Sequence, residues 1–507
     1  MKKTKSPFNV GRCLLLICGF AIYSLPAQAK LLRILHTNDL HSHLEKGSKP
    51  EFGGYAAVKS VIDSLKAQSA KEGVDTLVLD AGDFSEGSQF YLADRGEQTW
   101  KVMDAMGYDA VTIGNHDWLM GQRELNRLIG NVKPSFNLLG ANFVAEEKYQ
   151  NIRNHLRPFV EFERNGLRVA VIGLSTDLFV WAWRAGKNAL LRPETVAKNL
   201  LPKLTANNDL VIALTHIGTS GDRWLVRSTK GIDIVIGGHS HTTLSKPVYV
   251  RDQRGHSVPI VQTGAHGHLI GSLLVDVVPG RSVKVVKYEL IPVDPVDSGK
   301  DSHIEGLVHD ARRELENDYG RDWLYEVLAH SEVPLERPMN GPTVWGKIVD
   351  SAIRERAKAH LSINQGALYG INLPSGPITR ETLFEFYPRM FEFSRKYGWT
   401  IWTAKAQGWL LEAALKLALE NGSYLNTSGL TYDEKIVDGK RRISNMKIGG
   451  KPIERFKNYK LALPEGIARG SKSLNKYLRY ILQKPTDTKV PIWTAVADKV
   501  RRMGTIR

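Results

Sequence analysis

Between Leu31 and about Val293 the chain repeats one pattern: a short, nearly unbroken run of valine, isoleucine and leucine, then a polar turn. The runs fall at 32–37, 76–79, 110–113, 169–174, 210–215, 232–236 and 260–262. Runs of that length and composition suit strands buried on both faces, which occur where parallel sheets are covered by other layers. Helical patterns lie between several of them, for example at 55–70 and 122–129. The expected class is therefore α/β, with strands and helices in layers.

Five of these predicted strands end in residues of unusual kind. The first leads into Asn38-Asp39-Leu40-His41, the second into Asp80-Ala81-Gly82-Asp83, and the third into Gly114-Asn115-His116-Asp117. The strand at 210–215 ends in His216, and that at 232–236 ends in Gly237-Gly238-His239-Ser240-His241. Ligands of open α/β sheets gather just beyond the carboxyl ends of the strands. Each motif alone is an ordinary loop or capped turn. Five in order, each at a strand end, bring carboxylate, amide and imidazole groups to one place. That mixture suits divalent metals of the manganese, zinc or iron kind.

At 507 residues the chain exceeds what one hydrophobic core supports, so a second domain is expected. Charge-rich helical sequence at 297–340 reads as a linker following Pro292 and Pro295. A smaller α+β domain at 341–507 follows, with helices predicted at 345–358 and 405–420 and strands at 442–448 and 459–462. No repeat and no low-complexity tract is present. A hydrophobic fraction of 42% with 24% charged residues excludes a disordered chain and a multi-span membrane protein.

The one strongly apolar segment is N-terminal. Lys2, Lys3, Lys5 and Arg12 precede an apolar run at 13–25, and Ala27-Gln28-Ala29 supplies a cleavage site. This is the pattern of a secretory signal peptide, shorter than the roughly 20 residues a membrane span needs. The expectation is cleavage after Ala29, a domain at 30–296, and a periplasmic or secreted protein not held in the membrane. Both cysteines, Cys13 and Cys18, leave with the signal, so the mature chain has no disulfide. The formal charge of +16 loses four units on cleavage, and the remaining surplus favours anionic partners. No basic stretch is interleaved with aromatics, so a nucleic-acid polymer is not expected as a partner.

The order D-x-H, G-D, G-N-H-D, H and G-H-x-H resembles the calcineurin-like metallophosphoesterases. The two-domain layout is similar to their bacterial periplasmic 5′-nucleotidase and UDP-sugar hydrolase branch. This resemblance implies a four-layer β-sandwich flanked by helices, followed by a 5′-nucleotidase-like substrate domain. It implies that Asp39, His41, Asp83 and His241 hold one metal, and Asp83, Asn115, His216 and His239 the other, with Asp83 bridging. His116 would be catalytic, stabilising the transition state or leaving group while a hydroxide bridging the metals attacks phosphorus. The implied protein is a monomeric phosphohydrolase acting on nucleotides or related small phosphate esters.

Two departures from the family pattern stand out. The carboxylate expected three residues after the catalytic histidine is replaced by Leu119. In the substrate domain, Asn364-Gln365-Gly366-Ala367-Leu368-Tyr369 has tyrosine where the family carries arginine, and the later G-G-D-G-Y stretch is replaced by Gly466-Ile467-Ala468-Arg469-Gly470. Asn364, Gly366 and Arg389 are the candidate substrate contacts, with Arg395 a further one. The loop at 261–265 resembles the family's loop beside the metals. His43 either orients a ligand or sits on a surface loop, His266 and His268 are expected in an exposed turn, and His36 is expected inside its strand. Trp399, Trp402 and Trp409 read as core. The alternatives are the same metal centre acting on a non-nucleotide ester or a sulfur conjugate, as in thiosulfohydrolases, and a non-catalytic exported binding protein.

Overall fold

The computed structural model describes residue 1 and residues 30–45, 53–278, 283–294, 296–339, 341–394, 397–420, 425–470 and 483–507. The signal sequence and Arg395 lie outside the described residues. The first sheet holds six strands in the order β12-β11-β1-β2-β3-β4. They are β1 (Lys30–Thr37), β2 (Asp75–Asp80), β3 (Ala110–Thr112), β4 (Asn137–Leu139), β11 (Leu269–Val277) and β12 (Lys284–Pro292). The second sheet runs β5-β6-β7-β8-β10-β9. It comprises β5 (Phe159–Arg164), β6 (Leu167–Ser175), β7 (Leu210–His216), β8 (Ile234–Gly237), β9 (Val248–Arg251) and β10 (Ser257–Val261).

Side chains of period two divide each strand between two cores. Leu32 and Ile34 of β1, Leu77 and Leu79 of β2, and Leu210, Ile212 and Leu214 of β7 meet between the sheets. Val211 and Ala213 of β7 point outward onto helices Pro193–Asn207 and Gly218–Ser228, through Leu201, Leu204 and Leu225. Leu35 and Val78 point the other way, onto helices Tyr55–Lys71 and Glu97–Ala105. The result is the expected helix–sheet–sheet–helix sandwich. β1 to β4 run parallel, as do β6, β7, β8 and β10, so the carboxyl ends within each set share one edge.

Helix Ser302–Tyr319, within the predicted linker, is capped by Asp301, whose side chain accepts from Ile304 N. Its Arg312 bridges the halves: it pairs with Glu45 at 2.7 Å, with Glu381, and lies over the Phe90 ring at 4.5 Å. Strand Val327–Ser331, also within that stretch, pairs with Gly376–Thr379 and Thr505–Ile506 and so joins the second domain's architecture. The main C-terminal sheet orders Leu425–Ser428, Leu361–Gln365, Asn458–Pro464, Thr400–Gln407 and Gln483–Pro491. The helix predicted at 405–420 begins at Gly408, because Lys405 to Gln407 complete a strand paired on both sides.

Asp350 lies 1% exposed in this domain and accepts from Asn364 Nδ2 at 3.0 Å and Tyr369 Oη at 3.2 Å. Burial pushes its pKa up to about 7, against the pull of those two donors. The folded chain therefore holds this proton at pH values where the unfolded chain has lost it, and the carboxyl's contribution to stability falls as pH rises toward 7. Asp350→Asn keeps the acceptor and removes the titration. Thermal unfolding is expected to show a smaller loss of Tm between pH 5 and pH 8 in this variant than in the parent chain.

Candidate metal centre

The loops leaving the parallel strands adopt backbone conformations that few side chains occupy. Asp39, His41, Asp83, His239 and His241 all have positive φ, between 50° and 76°. Such strain clusters where a site over-determines the backbone. What holds it is a set of buried hydrogen bonds. Asp117 accepts from the backbone N–H of Asp83 at 2.9 Å, of Ser85 at 3.0 Å and of Gly114 at 2.7 Å, tying the loop after β2 to the loop after β3. Asn38 Nδ2 donates to Asp39 Oδ2 and to Gly264 O, while its Oδ1 accepts from Thr263 N and Oγ1. Gln262 accepts from Ser240 Oγ and Thr242 N and donates to Gly238 O, fixing the turn that carries His239 and His241.

These loops bring six of the seven predicted ligands together with His116, and Asn115 lines the cavity beside them. Asp39, His41 and His241, then His41, Asp83 and His116, then Asp83, His216 and His239 form three groups, the donor atoms of each lying within 4.8 Å of one another. His41 and His241 Nε2 approach to 3.1 Å, and His216 Nε2 stands 2.9 Å from Asp83 Oδ2. The outer nitrogens are already engaged: His41 Nδ1 on Glu86 O at 2.6 Å and His216 Nδ1 on Ala81 O at 2.7 Å. This leaves each Nε2 facing inward, the arrangement of a metal-ligating imidazole with an orienting partner.

The donors fit a divalent metal. Asn115 Oδ1 is a buried polar atom that makes no hydrogen bond among the described residues, a costly state unless a ligand completes it. Burial would lower the pKa of His216, but the Asp83 and Asp39 carboxylates lift it to about 10. Burial pushes His41 well below the ordinary range and His239 to about 4. Burial thus disfavours a proton on His41 and His239, while His216 pairs with Asp83 at 2.9 Å, where a metal would take the proton's place.

A cavity of about 440 Å³ opens over the centre, with Leu178 and Trp181 on the near side. The second domain supplies the far wall, including Arg337, Leu368, Ile371, Arg389, Gly466 and Ile467. Of the three substrate candidates, Arg389 faces this space. Asn364 and Gly366 do not: Asn364 is fully buried on Asp350 and Tyr369, and a Cβ at Gly366 would run into Pro338 O. Tyr369, at the family's arginine position, is 1% exposed with its hydroxyl turned to Asp350, so it offers the cavity no cation.

Other residues differ from expectation too. His266, placed in an exposed turn by the sequence, packs on His43 at 4.1 Å and on His241 at 5.8 Å, and both His43 and His266 line the cavity. His268 is half-buried beside His266. His36 is fully buried in β1. Trp399 and Trp402 are core residues, whereas Trp409 is 43% exposed away from the cavity. Two groups escaped the sequence reading, one lining the cavity and one buried behind it. Arg337 was invisible because its surroundings read as linker. Glu86, three residues after Asp83, hydrogen-bonds His116 Nδ1 through its carboxylate. Its only sequence signal is a lone charge between the apolar residues Phe84 and Phe90.

The calcineurin-like phosphoesterase profile matches residues 32–243, and the 5′-nucleotidase C-terminal domain profile matches 327–478. A 5′-nucleotidase of Vibrio vulnificus is 27% identical over 491 residues, covering 87% of this chain and 85% of its own. A 5′-nucleotidase of Rattus norvegicus is 27% identical over 496 residues, covering 87% and 83%. In fold, the chain is similar to a Thermus thermophilus 5′-nucleotidase precursor, with a TM-score of 0.79 at 22% identity over 94% of this chain and 97% of the other. It is also similar to the sulfate thiohydrolase SoxB of that organism, at 0.73 and 19% over 96% of each.

A Cβ at Gly114 would collide with Asp83 Oδ1. Gly114→Ala is therefore expected to weaken manganese binding about 10–100-fold, the usual cost of disturbing a ligand's support. Calorimetric titration checks this, with an unchanged circular dichroism spectrum showing that the sheets are retained. With both profiles matched in order over most of its length, this chain belongs to the metal-dependent phosphoesterases that join a calcineurin-like catalytic domain to a 5′-nucleotidase C-terminal domain.

Proposed function

We propose that the chain is an exported phosphohydrolase that uses two divalent metals, manganese, zinc or iron, to hydrolyse phosphomonoesters of the 5′-nucleotide type or close relatives. The observation that carries this reading is the donor set itself: three groups of Asp and His donors linked through His41 and Asp83, under a cavity whose opposite wall presents Arg337 and Arg389. Asp39, His41, Asp83 and His241 would hold one metal, and Asp83, Asn115, His216 and His239 the other. Metals at such a site polarise phosphoryl oxygens and make water nucleophilic at neutral pH.

The chain's own residues do the rest. The guanidinium groups of Arg337 and Arg389 draw an anionic ester across the cavity and fix its orientation. His116, held by Glu86 at Nδ1, presents Nε2 to the ester and donates to the oxygen that leaves. Leu178, Trp181, Leu368, Ile371 and Ile467 give the leaving group an apolar surround and keep bulk water off the reacting phosphorus. Ile467 lies where the family's glycine-rich stretch would stand, so Trp181 is the aromatic surface available to a base. Export follows from the N-terminal pattern, with the mature monomer starting at Lys30; among the described residues no helix is long and apolar enough to cross a membrane.

The test is phosphate release by residues 30–507 with manganese, from AMP, ADP, UDP-glucose, a cyclic nucleotide, glucose phosphate and an aryl phosphate. Release from AMP and the aryl ester is expected, abolished by EDTA and reduced at least about 100-fold by Asn115→Ala. No release from any ester, with turnover of a sulfur conjugate instead, would overturn the phosphohydrolase reading.

A further inference from the structure

The family pattern orients its catalytic histidine with a carboxylate three residues on, and here that place holds Leu119, fully buried. Asp117, the nearest alternative, has both oxygens committed to the backbone of Asp83, Ser85 and Gly114. The carboxylate that reaches the ring comes from another loop. Glu86 has no exposed surface and takes His116 Nδ1 on Oε2.

We propose that Glu86 is the positioning residue for His116 and that the second domain seats it. Met390 N–H donates to Glu86 Oε1 at 3.2 Å, and Arg389 Nη1 stands 3.4 Å from Oε2. Arg389 is itself clamped, Nε on Leu368 O at 2.9 Å and Nη2 on Ala367 O at 3.1 Å. A buried carboxylate is stable only when donors compensate it. Two of its three donors come from the domain that also forms the far wall of the cavity. Orientation of the histidine is thereby coupled to the contact between domains, and a carboxylate acceptor keeps the proton on Nδ1 and the ring in one orientation.

The activity arm rests on the phosphohydrolase reading, and the spectroscopic arm does not. In the manganese-loaded full mature chain, Glu86→Ala is expected to lower kcat about 10–100-fold with little change in KM, and Glu86→Gln, which keeps an acceptor, to lose less. Neither change should cost anything further in a His116→Ala background, because a residue acting through His116 has nothing left to position. In the metal-free chain, histidine-selective ¹⁵N NMR is expected to show a slowly exchanging His116 Nδ1–H, absent in Glu86→Ala and exchanging faster in Arg389→Leu. Additive losses in the double variants, or an Nδ1–H signal indifferent to Glu86, would overturn the assignment, and a signal indifferent to Arg389 would overturn the seating. Should Glu86→Ala fail to fold, the Glu86→Gln cycle and the Arg389→Leu spectrum decide the same questions. A wild-type chain that releases no phosphate defeats the enzymatic reading while leaving the spectra to judge Glu86.

Discussion

Everything in the first domain is arranged around a buried excess of polar groups at the ends of parallel strands. Asp39, Asp83 and His216 have almost no solvent contact, and their backbones and neighbours are held by donors that come from other strand ends. An unpaired buried carboxylate is expensive, and two close together are more so. The sandwich tolerates the arrangement because its two inner sheet faces and both helix layers are apolar and closely packed, leaving the polar groups confined to one edge. Asp117 illustrates the division of labour. It is not itself a predicted ligand, yet the three N–H groups its side chain accepts fix the loops of Asp83 and Asn115 relative to each other.

The second domain completes the site rather than merely following it. Arg312 on the connecting helix, Arg184 donating to Phe391 O at 2.6 Å, and Glu86 on the Met390 amide are polar ties between the halves. Around them, a single apolar core runs from Trp100 and Met103 through Leu315 and Leu324 to Trp345 and Phe386. This shared core brings Arg337 and Arg389 opposite the edge that carries the predicted ligands. The cavity is thus built from two domains, with the predicted metal ligands on one wall and Arg337 and Arg389 on the other.

Much of this was legible in the sequence because the rule linking residue to place is simple there. A strand buried on both faces must be apolar throughout, so the polar residues that end it stand out, and topology carries them to one edge. Fold class, the strands of the sandwich core and the gathering of Asp39 with His241 or Asp83 with His216 follow from that. Glu86 was not legible, since only the folded loop shows that a glutamate three residues beyond a ligand turns back to His116. Arg337 was hidden by the charge-rich composition around it, and His266 by a turn that the fold half-buries against His43. Asn364 and Gly366 went the other way. Their motif marks a tight junction in the second domain, where Asn364 and Tyr369 both hydrogen-bond inward to Asp350.

The central claim is that one donor set, shared through Asp83, holds two divalent metals. Metal analysis of purified residues 30–507 after manganese loading and desalting tests it most directly, on the parent chain and on Asp83→Ala. The account predicts two metals per chain in the parent and loss of both in the variant, because the bridging carboxylate serves each. One metal in the parent, or full occupancy without Asp83, would contradict it.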